Sequence, residues 1–395
     1  MPLAWRIKKG TLKMKTSRHS LIFGLSYALD IAGKNNLSHS KSTAYISVMI
    51  GRRLNFNDEK IIELYYAALL HDVALSTTYD MVQHCVDGQE MLGKLPLPGN
   101  IAEIVYYHHE TNDGNGNFKK KGDEVPLSAQ IICFASAFDD KFGKRADNFN
   151  RALFLEVGEW LERCKRHFSE NIIGAFEELL KYESFLLDYF NHETMFKLSD
   201  KIVVDDDVSY EYEDIVKFAR CFAEIIDKKS PFTFTHSNGI ADHARLFAAY
   251  LGHDENVQNT MYVAGLLHDI GKLDVSVDIL HKNDKLSPEE RFEINKHTYY
   301  TRKVLEQIEG FEDIVEYAAN HHEKIDGTGY PYRIPGERMG ELERAMAICD
   351  VFQALTEERP YRVGLSPERV WEIIDGMAER GHLDASLVAK AKEAF

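Results

Sequence analysis

Seven side chains in the second half of the chain could do chemistry together: His236, the doublet His268–Asp269, His297, the doublet His321–His322, and Asp350. Imidazole nitrogens mixed with carboxylate oxygens suit borderline divalent ions such as iron, manganese or zinc, whereas oxygen-only sets suit magnesium and calcium. The doublets carry the most information. Successive residues of a helix project about 100° apart, so two neighbours converge poorly on one ion but reach two ions lying side by side. A pair of ions roughly 3.5–4 Å apart is what such doublets serve, with Asp269 able to bridge them, one oxygen to each. Lone histidines such as His243 and His253 fall outside the set, because a single imidazole on a helical face is more often a hydrogen-bonded or surface residue. By spacing alone, Asp350 could equally cap or terminate a helix.

The set occurs twice. His39 and His236 lie 197 positions apart, as do His71–Asp72 and His268–Asp269, each doublet following an alanine and paired leucines. His84 and His297, His108–His109–Glu110 and His321–His322–Glu323, and Asp113–Gly114 and Asp326–Gly327 lie 213 apart. A single gap of 16 residues reconciles the two offsets, which marks a tandem duplication. The reading is a first module over 1–195, a linker over 196–211 in polar sequence, and a second module over 212–395. The stretch from about Asn150 to Asn191 reads as two further helices that finish the first module or brace it against the second.

The elements that must position these side chains are helices. Tyr212 to Ile226, Arg291 to Ile308 and Leu342 to Leu355 carry apolar residues at three- and four-residue steps, and glycine and proline are sparse. Lys201 to Val204 is the only weak strand candidate. The predicted fold class is all-α. A chain of 395 residues with 44% apolar residues is ample for two cores. Its net charge of −16 opposes bulk binding to nucleic acid or anionic lipid, which needs clustered cations. Five scattered cysteines without a CxxC pair fit a reducing cytoplasm. Apolar runs such as Met261 to Leu267 meet His268 and Asp269 far short of the roughly 20 residues a span requires, so no membrane span is expected. The N-terminus does not read as a signal peptide.

HDIGK at 268–272, HHE at 321–323, DGTGYP at 326–331, and ICDVFQAL followed by ERPYR at 358–362 resemble the HD-GYP subgroup of the HD phosphohydrolase superfamily. The likeness covers roughly 212–395. It implies two tandem helical HD-type modules, the second an HD-GYP module that hydrolyses cyclic dinucleotide messengers at a metal centre. It also implies that His236, His268, Asp269, His297, His321, His322 and Asp350 are the metal ligands. Two divalent ions, iron or manganese first and zinc after them, would acidify a water and neutralise charge on the phosphodiester. Lys272, at i+3 from Asp269, would touch a non-bridging phosphate oxygen. Its plainer reading is an exposed cation at a helix end. Arg359 and Arg362 could hold the second phosphate or a guanine edge, or pair with nearby glutamates. Tyr330 lies in a loop that the glycines and proline hold out of helix, and serves substrate, local packing or partner contacts.

Departures from the family pattern carry expectations of their own. Members with a third metal have an acidic residue where this chain has Phe232, which predicts a two-metal centre and a linear dinucleotide product. Ser276 and Asn283–Asp284 replace prolyl and Pro-Gly elements, so the loop after HDIGK is expected to differ in shape. The first copy keeps six ligand-type positions, His39, His71, Asp72, His84, His108 and His109, and could still bind a metal. It has Leu75 at the place of Lys272, Ser136 near that of Asp350, and Asn117–Phe118 for Tyr330–Pro331. It reads as a degenerate module for sensing, ligand binding or contact with a second copy or a signalling partner; the rival reading is an active plain HD hydrolase. The leading function is a cyclic-dinucleotide phosphodiesterase acting on c-di-GMP or 3′,3′-cGAMP. The rivals are an HD hydrolase of nucleotides and a non-catalytic scaffold; metal content separates the scaffold from both enzymes.

Overall fold

The computed structural model describes residues 14–33, 38–75, 78, 80–148, 150–191, 207–229, 236–282, 284–357 and 364–395. Within them the chain is helical apart from one two-stranded sheet. In the first module α1 (Arg18–Ala32), α2 (His39–Arg53), α3 (Asp58–Leu70), α4 (Met81–Leu92), α5 (Ile101–Tyr106) and α6 (Leu127–Phe142) surround the first histidine set. Three helices follow, α7 (Arg151–Cys164), α8 (Glu170–Leu180) and α9 (Glu183–Phe190), where the sequence predicts two. The extra break falls at Lys181–Tyr182, which interrupts an apolar stripe too short to show its own periodicity.

The second module repeats the plan with α10 (Tyr212–Lys229), α11 (His236–Tyr250), α12 (Glu255–Leu267), α13 (Val277–Leu280), α14 (Pro288–Leu305), α15 (Glu312–Ala319) and α16 (Glu341–Thr356), and closes with α17 (Pro367–Glu379) and α18 (Ala385–Ala394). The starts are written locally. Asn57 accepts the Lys60 N–H at 2.9 Å and Asp254 the Val257 N–H at 3.1 Å, so α3 and α12 begin on equivalent caps. Ser287 and Glu290 form a reciprocal capping box ahead of α14, with Pro288 in the first turn. The residues missing from the first copy correspond to α13, the loop after it and the first part of α14, so His297 projects from a longer helix than His84 does.

The modules are fastened across the repeat. Strand β1 (Lys15–Ser17) pairs antiparallel with β2 (Ser209–Glu211), with Thr16 opposite Tyr210. Residues assigned by sequence to the linker thus form a strand, while the candidate at Lys201 to Val204 lies outside the described residues. α1 packs on α2 and α3 of its own module and on α14 and the 3₁₀ turn Ile270–Asp274 of the other. At Gly24 a Cβ would fall 2.4 Å from Ile308 Cγ1, so only glycine allows this close approach of α1 to the turn after α14. The Glu309 N–H donates to Ser20 Oγ at 2.7 Å beside it. Buried residues of both modules form one contiguous apolar cluster.

Candidate metal centre

Each HD doublet is placed by the end of a helix. α12 stops at Leu267, and a helix end leaves carbonyls without amide partners. His268 donates Nδ1–H to one of them, Gly265 O, at 2.7 Å. His321 stands just past α15 and does the same to Ala318 O at 2.6 Å, and His297 to Ile294 O at 2.7 Å. Each bond commits Nδ1 as the donor, and so leaves the Nε2 lone pair facing the centre of the bundle. His236 is turned from the other side, with Nδ1 3.0 Å from Glu357 Oε2.

The inward atoms fall into two lobes joined by carboxylates. His236, His268 and Asp350 form one, and His297, His321 and His322 the other, with the candidate ligand atoms of each lobe within 4.8 Å of one another. Asp269 lies between them: Oδ2 is 3.1 Å from His268 Nε2, while Oδ1 is 3.3 Å from His297 Nε2 and 3.9 Å from His321 Nε2. Asp350 also faces both lobes, 3.8 Å from His236 Nε2 through Oδ1 and 3.7 Å from His322 Nδ1 through Oδ2. All seven predicted residues therefore meet at one place.

These residues fit divalent cations on two counts. The buried His268 Nε2 and Asp269 Oδ1 have no hydrogen-bond partner, although each lies close to another site atom. His297 Nε2 and His321 Nε2 stand 3.3 Å apart, with both Nδ1 atoms committed as donors, so two lone pairs face each other unless a cation lies between them. The charge state agrees. Burial drives His297 down to about 3 and His321 to about 4, which keeps both neutral and able to donate a lone pair. Burial opposes charge on Asp269 as well, but His268, Lys272 and His297 together hold its carboxyl well below the usual range. His268 is the exception: burial is outweighed by Asp269, which raises it above the ordinary imidazole value, so a cation there takes the place of the Nε2 proton.

The other predicted residues are placed unevenly. Lys272 Nζ pairs with Asp269 Oδ2, and its side chain keeps 22% of its surface exposed at the rim. Gly271 makes that turn possible, since a Cβ there would meet His297 O at 1.9 Å. Tyr330 lies over His322 with ring centroids 5.0 Å apart. Arg359, Arg362, Phe232 and Asn283 lie outside the described residues, while Ser276 precedes α13 in extended backbone.

Several contributors escape sequence reasoning. Glu323 accepts the Tyr332 and Ile334 N–H groups at 2.7 and 2.9 Å, and so pins the loop that carries Tyr330. Glu110 does this in the first module with Phe118 and Lys120, at 2.7 and 2.8 Å. Glu357 and the buried Asp227, which accepts from Ser237 Oγ at 2.8 Å beside His236, carry no local signal. Lys229 is buried near the rim and donates to Leu273 O.

The first set assembles likewise. Asp72 Oδ2 is 3.3 Å from His71 Nε2, and Oδ1 is 3.3 Å from His84 Nε2. His71 and His108 donate Nδ1–H to Ala68 O and Val105 O. Ser136 Oγ, 3.4 Å from His39 Nε2, stands where Asp350 faces His236. Burial would lower His39, yet Asp139, 2.7 Å from its Nδ1, and Asp72 raise it to about 9.

An HD-domain family model matches residues 36–140, and a second HD-domain model matches 220–387. The chain is a tandem of two HD domains. The boundaries of the matches enclose both histidine sets. A 3′3′-cGAMP-specific phosphodiesterase of Vibrio cholerae is 28% identical over 96% of this chain and 92% of its own length. A cyclic di-GMP phosphodiesterase of Pseudomonas aeruginosa is 36% identical over 39% of this chain and 37% of its own. The crystal structure of a cyclic GMP-AMP-specific phosphodiesterase of V. cholerae superposes on the tandem with a TM-score of 0.72 at 21% identity, covering 96% of this chain and 98% of that one. That likeness establishes the tandem helical HD fold. Among the described residues of the two HD domains, no helix is long and apolar enough to cross a membrane.

Proposed function

We propose that the chain is a metal-dependent cyclic-dinucleotide phosphodiesterase, working in the cytoplasm and opening 3′,3′-cGAMP or c-di-GMP to the linear dinucleotide. The observation that carries this reading is Asp269 set between two imidazole lobes, one oxygen toward each. The relative matched over nearly the whole chain favours the mixed cyclic dinucleotide as the first substrate to try. Two divalent ions, iron or manganese, would be held by His236, His268 and Asp350 and by His297, His321 and His322, with Asp269 shared.

Bound there, the ions would supply Lewis-acid polarisation of the phosphodiester and an acidified water. The protein does the positioning. Nδ1 bonds to carbonyls and to Glu357 lock the imidazole tautomers before substrate arrives. Lys272, at the rim, offers a point charge to a non-bridging oxygen. Tyr330, tilted against His322 and held by the loop that Glu323 anchors, walls the entrance and limits water. The first HD domain has Leu75 and Ser136 at the places of Lys272 and Asp350, and its role is in regulation or contact with a second copy or partner.

The deciding experiment loads the protein anaerobically with iron or manganese and follows c-di-GMP, 3′,3′-cGAMP and a nucleoside triphosphate. A linear dinucleotide product, lost in Asp269→Ala and retained in Asp72→Ala, is expected. Cleavage of the triphosphate alone would place the chain among nucleotide hydrolases, and no cleavage by metal-loaded protein would leave the scaffold reading.

A further inference from the structure

The first HD domain has lost parts of the catalytic arrangement unequally. His84, His108, His109 and Asp72 form a group of four whose candidate ligand atoms lie within 4.8 Å of one another, the largest such group among the described residues. Asp72 Oδ1 is 3.3 Å from His84 Nε2 and 3.8 Å from His108 Nε2, and those two nitrogens stand 3.3 Å apart. His84 and His108 are fully buried. His108 donates Nδ1–H to Val105 O, so its Nε2 lone pair faces His84 Nε2 unless a cation lies between them. The opposite lobe offers three ligands, His39, His71 and Asp72, and has Ser136, 3.4 Å from His39 Nε2, where the second domain has the carboxylate of Asp350.

The surroundings also differ in kind. Where Lys272 stands at the rim of the second site, the first has Leu75, and Ala32 takes the place of Lys229 by the same offset of 197. The cavity over Asp72 is about 40 Å³ and is lined by Leu29, Ala32, Gly33, Asp72 and Leu75. That is far below the ~300 Å³ or more of a small-molecule site. Among the described residues, no lysine or arginine lines it.

We propose that the first HD domain holds a single non-catalytic divalent ion in the lobe formed by Asp72, His84, His108 and His109. Three imidazoles and one carboxylate make a closed four-coordinate set, of the kind that suits zinc or iron(II). The ion holds α3, α4 and α5 together without meeting substrate. This site does not depend on the reaction at the second domain.

The test uses the full chain with the second site dismantled by His268→Ala, Asp269→Ala and His297→Ala together. After loading with Zn²⁺ and desalting, elemental analysis should find about one zinc per chain. Adding His84→Ala and His108→Ala should bring this to none, whereas adding His39→Ala should leave it in place. Cobalt(II) in the triple variant should give the intense visible bands of a four-coordinate site, a readout that needs no change to the first domain. Absence of those bands with no retained zinc would overturn the proposal. So would two zinc ions per chain, or a zinc content that is lost with His39 and indifferent to His84.

Discussion

Glu357 Oε2 lies 3.0 Å from His236 Nδ1, and the first domain puts Asp139 at the same task, 2.7 Å from His39 Nδ1, from an earlier turn of its last shared helix. The carboxylate fixes the ring so that Nε2 points inward, and it raises the basicity of that nitrogen. Glu357→Ala should weaken divalent-metal affinity by about 10–100-fold, the usual effect of removing such a partner. Glu357→Gln, which keeps a hydrogen-bond acceptor, should lose less. Metal titration of the apo protein with a competing chelator reads both, and equal affinities in all three proteins would show that the contact is incidental.

Lys272 meets Asp269 at the rim of the site and leaves part of its side chain to solvent. If its ammonium serves the phosphate, Lys272→Met should lower kcat by about 10²-fold, in the range for loss of one group that stabilises transition-state charge. Metal content should stay at the wild-type level. A variant that loses its metal instead would show that Lys272 acts through Asp269.

Glu323 and Glu110 hold equivalent loops by pairs of backbone N–H groups. Replacing either by alanine strips a buried acceptor and should cost about 1–3 kcal/mol of stability. Only Glu323→Ala should also raise KM, because only its loop carries a tyrosine against the metal cluster. Thermal unfolding and steady-state kinetics on the two variants give the comparison, and a matching KM rise in Glu110→Ala would contradict it.

Asp30 is buried beneath α2 and accepts the Ser40 N–H at 2.7 Å. Burial pushes its carboxyl up to about 6, against the pull of Lys41 and Ser40. A carboxyl raised on folding favours the folded state below its unfolded value near 4, and that contribution disappears as pH rises to about 6. The stability of wild type relative to Asp30→Asn should therefore fall by roughly 3 kcal/mol between pH 4 and pH 7, at about 1.4 kcal/mol per unit. Urea unfolding of both proteins across that range gives the difference, and a flat one would mean that Asp30 ionises like an exposed carboxylate.

The ligand set and the duplication were legible because each is written in short runs at helix ends. HD and HH sit where α3, α12 and α15 stop or α5 has just ended, and the chain positions such residues through carbonyls three places back. Fold class was legible for the same reason, since caps such as Asn57, Asp254 and Ser287 and the apolar period are local properties.

What acts across long sequence separations was not legible. Glu357 reaches a histidine 121 residues away, and β1 finds β2 nearly two hundred residues later. Nor does any local pattern say that Asp350 would face both lobes, or that Ser136 would take its place beside His39. The sequence by itself determined which side chains could bind metal, in what order and how many times, because residue type and helical period are encoded within a few turns. Only the tertiary structure decided which lobe each one joins, because convergence depends on how helices from distant parts of the chain pack around one buried core.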